Sequence, residues 1–323
     1  MKDKTSMTEN PVQLENVTKR YGAFTAVSDL SFAVAQGEIY GFLGPNGAGK
    51  TTTLRMMLDI VQPTNGRISI LGSSSAISVR RRIGYLPEER GLYRKMKAVD
   101  SIAYFARLRG LSGRAAKKKA YALLEQFGLS EFARSKNEAL SKGMAQKVQL
   151  FATIAHEPEL LILDEPFSGL DPINQQTLEQ LISDQRAGGR TIIFSTHVMQ
   201  HAERLCDRFL ILAGGEKRFE GTLSEARAGF AGRLHVRSPA AAAAFEALPG
   251  VVSVRFERDC GDETEYYIEL VDGADPQGFL HQAVAAGIVM TRFEQAGATL
   301  HDIFVELAGD DATQGGAMAE AAE

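Results

Sequence analysis

Few cysteines and no long hydrophobic run characterise this sequence of 323 residues. The two cysteines, Cys206 and Cys260, lie far apart, which excludes a disulfide framework and a closely spaced metal-binding cysteine motif. Such cysteine usage suits a reducing compartment, so we expect a cytosolic location. The longest apolar stretches, such as the one ending at residues 160–163, are far shorter than the roughly 20 residues of a membrane-spanning helix. No basic segment followed by an apolar run opens the sequence, so we expect no signal peptide and no transmembrane segment.

The chain is long enough for two domains, and its charge changes sign along the sequence. Residues 229–323 contain 5 Lys and Arg against 16 Asp and Glu, whereas residues 1–228 contain 31 against 24. A basic front part and an acidic back part predict a domain boundary near residue 229. The basic surplus is compatible both with contacts to polyanions or a membrane surface and with an ordinary solvated surface, and these alternatives stay open.

Residues 11–228 have the pattern of an α/β domain. Alternating runs over residues 12–36 predict antiparallel strands. A continuous apolar strand over residues 38–43 is followed by a glycine-rich loop and by a helix from residue 50 to about residue 60. Further strands and helices then alternate, which predicts a parallel sheet covered on both faces. These further elements are helices over 98–128, 142–156 and 174–185 and strands at 160–163 and 191–195.

Residues 229–308 predict a smaller α+β domain. The order strand, helix, strand, strand, helix, strand, with a terminal helix, is typical of a ferredoxin-like sandwich. The expected strands are 234–237, 251–257, 265–271 and 289–293, and the expected helices are 239–248, 276–286 and 300–307. The histidines of this domain lie at no metal-ligand spacing, so we expect no metal site there. Residues 1–10 and 309–323 have the composition of disordered ends.

The strongest chemical signal is the segment GPNGAGKTT at residues 44–52. It satisfies the pattern G-x-x-x-x-G-K-[ST], which is typical of loops that bind the phosphate chain of a nucleotide. Glycines let the loop wrap the phosphates closely, and backbone N–H groups at the start of the next helix point at the anion. We expect Lys50 to place a positive charge at the terminal phosphates and Thr51 to offer its hydroxyl to a magnesium ion. The predicted nucleotide-binding residues of this loop are Gly44, Asn46, Gly47, Ala48, Gly49, Lys50, Thr51 and Thr52.

Two acids follow the apolar strand at residues 160–163. Ligands bind at the carboxyl ends of strands in open α/β sheets, which is where Asp164 and Glu165 are expected to lie. We predict that Asp164 holds the magnesium ion through water and that Glu165 orients or deprotonates the attacking water. A strand that simply ends in a capping acid is the ordinary alternative. The position of these acids downstream of a phosphate loop favours the catalytic interpretation.

Four shorter motifs accompany these two. They are TKRYG at residues 18–22, LSKGMAQ at 140–146, SGLD at 168–171 and STH at 195–197. With them, the sequence over about residues 12–222 resembles the nucleotide-binding subunit of an ABC transporter. The resemblance implies an ABC-type P-loop NTPase domain with a mixed sheet core, an antiparallel β subdomain and a helical subdomain. It also implies ATP and Mg²⁺ as cofactors.

The resemblance implies a role for each shorter motif. Tyr21 would stack on the adenine ring. Ser141 and Gly143 would bind the γ-phosphate of the ATP held by the opposite subunit. Asp171 lies in the loop that would link two active sites, and His197 would contact the γ-phosphate. Read alone, these residues are compatible with core packing, a helix N-cap and a structural histidine, and only the full set of motifs favours the functional interpretation.

The sequence departs from the family pattern at three positions. Glu88 stands where the family usually has Gln, and its carboxylate can still bind magnesium or a magnesium-bound water. We therefore include Glu88 among the predicted nucleotide and metal ligands. Lys142 replaces a glycine of the 140–146 motif and adds positive charge near the expected γ-phosphate, and Met144 replaces a glutamine.

Three further runs of residues resemble a narrower group within the family, and this resemblance indicates which kind of protein the chain works with. The runs YLPEERGLY at residues 85–93 and LSKGMAQK at 140–147, with LHDIF at 300–304, resemble the ATPase subunits of ABC-2-type exporters, including sodium, drug and lipid exporters. This implies a separate transmembrane permease, a homodimer with two ATP molecules, and a peripheral location on the cytoplasmic side of the membrane. The segment at about residues 92–140, with Glu88 at its hinge, would hold the permease. We expect residues 229–308 to stabilise the dimer or to regulate it.

Two alternatives belong to other classes. A soluble ABC ATPase that acts on ribosomes or DNA usually has two such domains or a long coiled-coil insertion, and this sequence has neither. It also has no strip of basic and aromatic residues for nucleic acid, so we expect no nucleic-acid partner. A non-enzymatic ATP-binding scaffold is the second alternative, and the presence of both Glu165 and His197 speaks against it.

Overall fold

The computed structural model describes residues 10–89, 91–228, 233–271, 273–295 and 299–308. The chain divides into two compact units, the larger of which runs to Thr222 and the smaller from Leu223 to Glu306. The boundary predicted near residue 229 stays a prediction. The ends predicted to be disordered, residues 1–10 and 309–323, lie outside the described residues except for Asn10. Within the described part of the chain, no helix is both long enough and apolar enough to cross a membrane.

The larger unit alternates strands and helices. Its described strands are β1 (Val12–Tyr21), β2 (Phe24–Val34), β3 (Ile39–Leu43), β4 (Asn65–Ile70), β5 (Ile83–Leu86), β6 (Leu160–Leu163), β7 (Thr191–Thr196), β8 (Arg208–Ala213) and β9 (Glu216–Gly221). Its described helices are α1 (Lys50–Met57), α2 (Ala76–Val79), α3 (Ala98–Leu108), α4 (Gly113–Gln126), α5 (Lys142–Ile154), α6 (Pro172–Ala187) and α7 (Met199–Leu205). Short 3₁₀ turns occur at Arg80–Arg82, Ser130–Phe132 and Asn137–Ala139.

A six-stranded mixed sheet forms the centre of this unit, in the order β5-β6-β7-β3-β8-β9. All neighbouring pairs are parallel except β8 and β9. Every residue of β3, β6 and β7 is buried, as expected for parallel strands covered on both faces. Because these three strands are adjacent and parallel, the segments that follow them meet at one edge of the sheet.

A separate antiparallel sheet has the order β2-β1-β4. Its buried side chains share one hydrophobic cluster with residues of the central sheet and α1, among them Phe32, Tyr40, Phe42 and Leu54. This packing brings the hairpin between β1 and β2 close to the loop that follows β3. The mixed core and the antiparallel β subdomain that the family resemblance implied are both confirmed.

The helical part consists of α3, α4 and α5, which share a second hydrophobic cluster. Small residues such as Ala103, Ala106, Ala116 and Ala120 are buried here, so α3 and α4 can approach closely. Helix α5 is buried from Gly143 to Ile154 with only two exceptions, Met144 and Lys147. It contacts both the helical part and β5, so it lies between the two parts of the unit.

The first helix is shorter than predicted. It ends at Met57 instead of residue 60, because Leu58 has left the helical region and Asp59 has a left-handed φ of 57°. A left-handed residue just past the last turn is a common way for a helix to end. Strand β4 was not predicted, since its sequence NGRISI is mostly exposed and has no strong alternation.

From Leu223 onward the chain adds α8 (Leu223–Ala228), β10 (Arg233–Ser238), α9 (Ala242–Glu246), β11 (Val251–Asp259), β12 (Thr264–Leu270), α10 (Pro276–Ala285), β13 (Arg292–Gln295) and α11 (Leu300–Ala308). The four strands form an antiparallel sheet in the order β11-β12-β10-β13. Helices α9 and α10 contribute Phe245 and Phe279 to the core of this sheet. The ferredoxin-like arrangement predicted from the sequence is therefore confirmed.

Two elements of the smaller unit begin three residues later than predicted. Helix α9 begins at Ala242 instead of residue 239, because the Ser238 hydroxyl accepts a hydrogen bond from the Ala240 N–H and Ala241 is extended. Strand β13 begins at Arg292 instead of residue 289. The carbonyl of Val289 accepts a hydrogen bond from the Ser238 hydroxyl, which holds this residue in a turn before the strand.

Candidate functional site

The glycine-rich loop connects β3 to α1, as the sequence predicted. Gly49, directly before α1, has a φ of 99°, and a Cβ there would lie 2.6 Å from the carbonyl oxygen of Ala26. At Gly44, a Cβ would lie 2.5 Å from the carbonyl oxygen of Leu212. Both positions therefore require glycine, and the loop is fixed against its neighbours before any ligand is considered.

Lys50 is the first residue of α1 and is only 6% exposed. Its Nζ donates hydrogen bonds to the carbonyls of Gly44 at 2.7 Å and Pro45 at 3.2 Å. The same Nζ lies 3.6 Å from Oε1 of Glu165. Burial lowers the pKa of Lys50, and the charge of Glu165 opposes this shift. The ammonium group of Lys50 thus links the loop after β3 to Glu165, which follows β6.

Asp164 is buried and is held by two hydroxyl groups. Its Oδ1 accepts a 2.6 Å hydrogen bond from Ser195 and a 3.3 Å hydrogen bond from Thr51. Burial raises the pKa of Asp164, while the bonds from Ser195 and Thr51 act in the opposite direction. A carboxylate beside a threonine hydroxyl is an oxygen donor set that suits Mg²⁺. The residues present therefore fit the expected metal.

Glu165 combines an unusual backbone with a buried carboxylate. Its φ of 44° lies in the left-handed region, which costs a non-glycine residue energy, and its N–H donates to Ser195 Oγ at 2.9 Å. Oε2 lies 3.0 Å from Nδ1 of His197. Oε1 is buried and has no hydrogen-bond partner among the described residues, although Lys50 lies near it. Such a carboxylate can hold and polarise a water molecule next to the loop.

One cavity of about 420 Å³ includes Tyr21, Lys50, Thr51, Glu88 and Glu165 in its lining. Tyr21 is 50% exposed, which rules out core packing as its role. The structure thus brings a half-exposed aromatic ring, the phosphate loop and two acids to one place. An aromatic face suits a base, an ammonium group suits phosphates, and hydroxyl and carboxylate oxygens suit a metal ion, so the lining fits a nucleotide with its metal.

Two side chains of this region were missed by the sequence reasoning. Phe24 pairs with Tyr21 across the β1–β2 hairpin, lines the same cavity and is 64% exposed. A second aromatic residue beside a predicted stacking tyrosine was a signal that could have found it. Ser195 was quoted only as part of a motif, and its contacts with both acids depend on the pairing of β6 with β7.

Glu88 lies in the loop after β5. Partial burial, followed by the negative charges of Asp164 and Glu165, raises its pKa. The loop is held by Gln149 of α5, whose Nε2 donates to the carbonyls of Glu89 at 3.1 Å and Pro87 at 3.5 Å. No residue pattern in the sequence indicated this role of Gln149.

Ser141, Gly143 and Asp171 are not among the residues that line the cavity with Lys50. Ser141 is the N-cap of α5 and accepts a hydrogen bond from the Met144 N–H at 3.3 Å. This contact confirms the interpretation of Ser141 as a helix N-cap. A helix start with free N–H groups also attracts anions, so the two roles do not exclude each other.

The segment with Ser141 contacts the segment with Asp171 within the chain. A Cβ on Gly143 would lie 2.6 Å from Nδ2 of Asn174, and this Nδ2 donates to Asp171 Oδ2 at 2.6 Å. Lys142 also lies over Gly169, where a Cβ would come within 1.7 Å of the lysine Nζ. The two motifs therefore form one continuous surface.

Comparisons with known proteins agree with this geometry. A family model described as ABC transporter matches residues 27–168, and one described as ATP-binding protein DrrA1-3-like, C-terminal domain, matches residues 221–308. The chain is 37% identical over 297 residues to the ABC transporter ATP-binding protein YhaQ of Bacillus subtilis, which covers 92% of this chain and 98% of that protein. The chain belongs to the ABC transporter ATP-binding proteins.

Other members of this family are also similar. The Nod factor export ATP-binding protein I of Burkholderia orbicola is 40% identical over 218 residues, which is 67% of this chain and 72% of that protein. A solved structure titled as an ATP binding subunit of an ABC transporter superposes with a TM-score of 0.63 at 35% identity, covering 68% of this chain and 92% of that one. The ABC fold expected from the sequence is thus confirmed by sequence and by structure.

In this ABC transporter ATP-binding protein, the motif residues fall into two groups. Tyr21, residues 45–52, Glu88 and Glu165 share one cavity, whereas Ser141 and Gly143 lie with Asp171 on a different surface. Each chain therefore presents two separate groups of motif residues.

Proposed function

We propose that this protein is the ATP-hydrolysing subunit of a membrane exporter and that it works as a head-to-tail homodimer with two ATP molecules between the copies. The observation that carries this proposal is the separation of the two groups of motif residues. A second copy in the opposite orientation would bring its Ser141 and Gly143 to the ATP on Lys50 of the first copy. Each partial site would then be completed by the other copy.

The proposed roles follow from the contacts in the cavity. Lys50 and the N–H groups of residues 44–52 bind the phosphates, and Tyr21 stacks on the adenine. Thr51, Asp164 and Glu88 would hold the magnesium ion, and its charge would stabilise the transferred phosphoryl group. Glu165 has a free acceptor oxygen beside Lys50, so it can orient the attacking water and take its proton.

His197 and Asp171 complete the proposed site. His197 is half exposed and is held by Glu165 through its Nδ1, so its other ring nitrogen can reach the γ-phosphate. Asp171 contacts Asn174, which packs on Gly143. ATP binding at the 141–143 segment can therefore change the position of Asp171. These contacts support communication between the two ATP molecules of the dimer.

ATP binding favours the closed dimer because the γ-phosphate is held by both copies, and hydrolysis removes this bridge. The helical part at about residues 92–140, with Glu88 at its hinge, receives a cytoplasmic segment of a separate permease. Closure would then shift the permease between inward-open and outward-open states. The protein lies at the cytoplasmic face of the membrane through this partner.

Export is the favoured direction of transport because relatives with known names are exporters or resistance proteins. These relatives are the Nod factor export ATP-binding protein I and the linearmycin resistance ATP-binding protein LnrL of Bacillus subtilis, which is 37% identical over 217 residues. We further propose that residues 229–308 stabilise or regulate the dimer. Normal ATP-dependent dimerisation and transport by a chain truncated after residue 229 would exclude that role.

The test is a pull-down of tagged Glu165→Gln protein, with ATP, from detergent-solubilised membranes of its own host. We expect a stoichiometric protein with several membrane spans, and less of it when ATP is left out. Recovery from the soluble fraction alone, with ribosomal or DNA-bound proteins, would instead assign the chain to the soluble ABC ATPases.

A further inference from the structure

The basic residues of the larger unit are concentrated in two segments. Residues 60–87 contain four Lys and Arg and residues 101–124 contain six, and neither segment contains an Asp or a Glu. Protein surfaces usually intersperse charges of both signs, so two acid-free segments that meet in the fold would form an unusual surface. The sequence alone did not decide between contact with a polyanion or a membrane and an ordinary solvated surface.

The fold brings the two segments together at the turn between α3 and α4. The guanidinium of Arg109, just after the end of α3, donates to the Arg80 carbonyl at 2.6 Å. The Arg81 side chain covers Gly110, where a Cβ would lie 3.6 Å from the Arg81 Cδ. Arginines from both segments therefore lie around one short turn.

Helix α4 extends this cluster. The Arg107 side chain reaches the first residue of α4, since a Cβ on Gly113 would lie 3.9 Å from the Arg107 Nε. Arg114 and Lys118 are both exposed and lie four residues apart, which places them on one face of α4. We call this set the basic patch, and it consists of Arg80, Arg81, Arg107, Arg109, Arg114 and Lys118.

Among the described residues, no acidic side chain forms an ion pair with the basic patch. Three acids approach the two segments, and each is paired with a cation outside the patch: Glu159 with Arg82, Glu157 with Lys119 and Asp100 with Lys117. Burial lowers the pKa of Arg109, and the charge of Arg80 lowers it further. Because these like charges repel each other, an anion in contact with them would stabilise the cluster.

Two exposed apolar side chains lie among these cations. Leu108, between Arg107 and Arg109, is 59% exposed. Ile77, three residues before Arg80, is 56% exposed. Aliphatic side chains beside cations can enter the boundary between the headgroups and the acyl chains of a lipid bilayer. Nucleic acids are instead bound by cations together with stacking aromatic rings, so the aliphatic neighbours favour a bilayer.

We propose that the basic patch binds the anionic lipid headgroups of a membrane surface, with Leu108 and Ile77 inserted among the headgroups. Five of the six patch residues are arginines, whose planar guanidinium groups bind phosphate oxygens in pairs. This binding belongs to the chain itself and needs no permease, so it goes beyond the proposed function. It would make attachment to the membrane depend on the lipid composition.

The proposal is tested with the purified full chain and sedimented lipid vesicles. Vesicles of phosphatidylcholine with phosphatidylglycerol are compared with vesicles of phosphatidylcholine alone, over a range of lipid and salt concentrations. We expect binding to the anionic vesicles only, with an affinity that falls as salt screens the charges. No binding to anionic vesicles at low salt, or equal binding to both kinds of vesicle, would overturn the proposal.

The charge-reversed variant Arg81→Glu/Arg107→Glu identifies the surface. Each basic residue close to an anionic leaflet contributes roughly fivefold in affinity, so we expect binding to be at least about tenfold weaker. Arg218→Glu/Arg255→Glu changes the net charge by the same amount at exposed arginines of β9 and β11 and should bind like the wild type. Circular dichroism checks that both variants fold. An equal loss in both would mean that net charge and not the patch decides, which would refute the proposal.

A second variant and two competitors separate the bilayer from other anions. Leu108→Ser should bind anionic vesicles about threefold or more weakly than the wild type, whereas Val252→Ser, at a 60% exposed valine of β11, should not. Inorganic phosphate should displace vesicles no better than sodium chloride of equal ionic strength. Stronger displacement by phosphate would assign the patch to free phosphate. Tight binding of a DNA duplex that Arg81→Glu/Arg107→Glu weakens and Leu108→Ser leaves unchanged would assign it to nucleic acid.

These assays contain no permease, so their outcome is independent of the pull-down that tests the proposed function. Vesicle binding by a chain that recovers no multi-span protein would support the patch and refute the transporter subunit. Recovery of a multi-span protein by a chain that ignores anionic vesicles would do the reverse.

Discussion

Ser195 lies directly against Asp164, to which its hydroxyl donates a hydrogen bond of 2.6 Å. The same oxygen accepts the N–H of Glu165 at 2.9 Å, so one side chain of β7 fixes both acids that follow β6. Ser195 is fully buried, and its hydroxyl therefore acts without competition from solvent. The arrangement makes a serine outside the two main motifs a positioning residue for both acids.

Ser195→Ala is expected to lower ATP turnover. The buried Asp164 carboxylate would lose a donor and the Glu165 N–H an acceptor, each worth roughly 1–3 kcal/mol. We expect turnover to fall by about tenfold or more, with a higher Mg²⁺ requirement, measured by phosphate release over a Mg²⁺ titration. Ser183→Ala, which removes a hydroxyl bound to the Glu179 carbonyl on α6, is the control. Wild-type turnover and Mg²⁺ dependence in Ser195→Ala would contradict the positioning role.

Glu165→Gln is expected to separate binding from hydrolysis. The amide keeps the size of the side chain but cannot take a proton from water, and general-base contributions are about 10²- to 10⁴-fold. Turnover should fall by at least about 100-fold, while ATP binding by equilibrium dialysis remains. Glu216→Gln, at an exposed glutamate of β9, should behave as the wild type. Hydrolysis by Glu165→Gln at the wild-type rate would remove the catalytic role from this carboxylate.

Gly143→Ala is expected to impair the dimer without affecting the nucleotide site of the single chain. The new Cβ would lie 2.6 Å from Asn174 Nδ2, so the amide must leave Asp171. We expect ATP binding by one chain to be unchanged, but ATP-dependent dimerisation in the Glu165→Gln background to weaken, as measured by analytical ultracentrifugation. Gly278→Ala is the control, because no atom comes closer than 3.6 Å to its Cβ. Dimerisation as strong as that of the parent protein would count against a role of this surface.

His156 predicts a specific loss of stability in acid. Its pKa is about 4 in the folded chain against 6.5 for an ordinary histidine, so the unfolded chain binds the proton more tightly. The contribution is complete above pH 6.5 and is lost as the pH falls towards 4, amounting to about 2 kcal/mol at pH 5. Urea unfolding followed by circular dichroism at pH 7 and pH 5 measures this difference.

The variant His156→Gln isolates that effect, because glutamine can still donate to the Ile83 carbonyl but does not titrate. Its loss of stability between pH 7 and pH 5 should be smaller than that of the wild type by about 2 kcal/mol. His281→Gln, at an exposed histidine of α10, should keep the wild-type loss. An equal loss in both variants would mean that His156 titrates normally.

Local patterns in the sequence predicted much of the fold, although not strands β4, β8 and β9, and they predicted the parts of the site that lie in continuous motifs. The backbone of the loop at residues 44–52 requires glycines, so the residue types alone predict this loop. The strand before Asp164 is predicted by its continuous apolar run. The ferredoxin-like order of the smaller unit also follows from periodicity. Strand β4 was missed because its exposed residues do not alternate.

Contacts between segments that lie far apart in the sequence could not be predicted from local patterns. Ser195 binds Asp164 only because β7 lies beside β6, and Gln149 binds the Glu88 loop only because α5 crosses β5. Both residues are ordinary in type and have no required neighbours in sequence. Element ends such as that of α1 also depend on a single backbone angle, which composition does not determine.

Helix α5 places Ser141 at its start and Gln149 eight residues later, on a rod that turns about 100° per residue. Deleting one residue between them would swing Gln149 away from the Glu88 loop although every motif would still be present. Surface turns tolerate changes in length, but the stretch of α5 between Ser141 and Gln149 does not. Because α5 is buried from Gly143 to Ile154 apart from two residues, a recombined chain that keeps every motif but changes the number of residues in α5 would also turn core side chains towards solvent, and we expect it to lose stability.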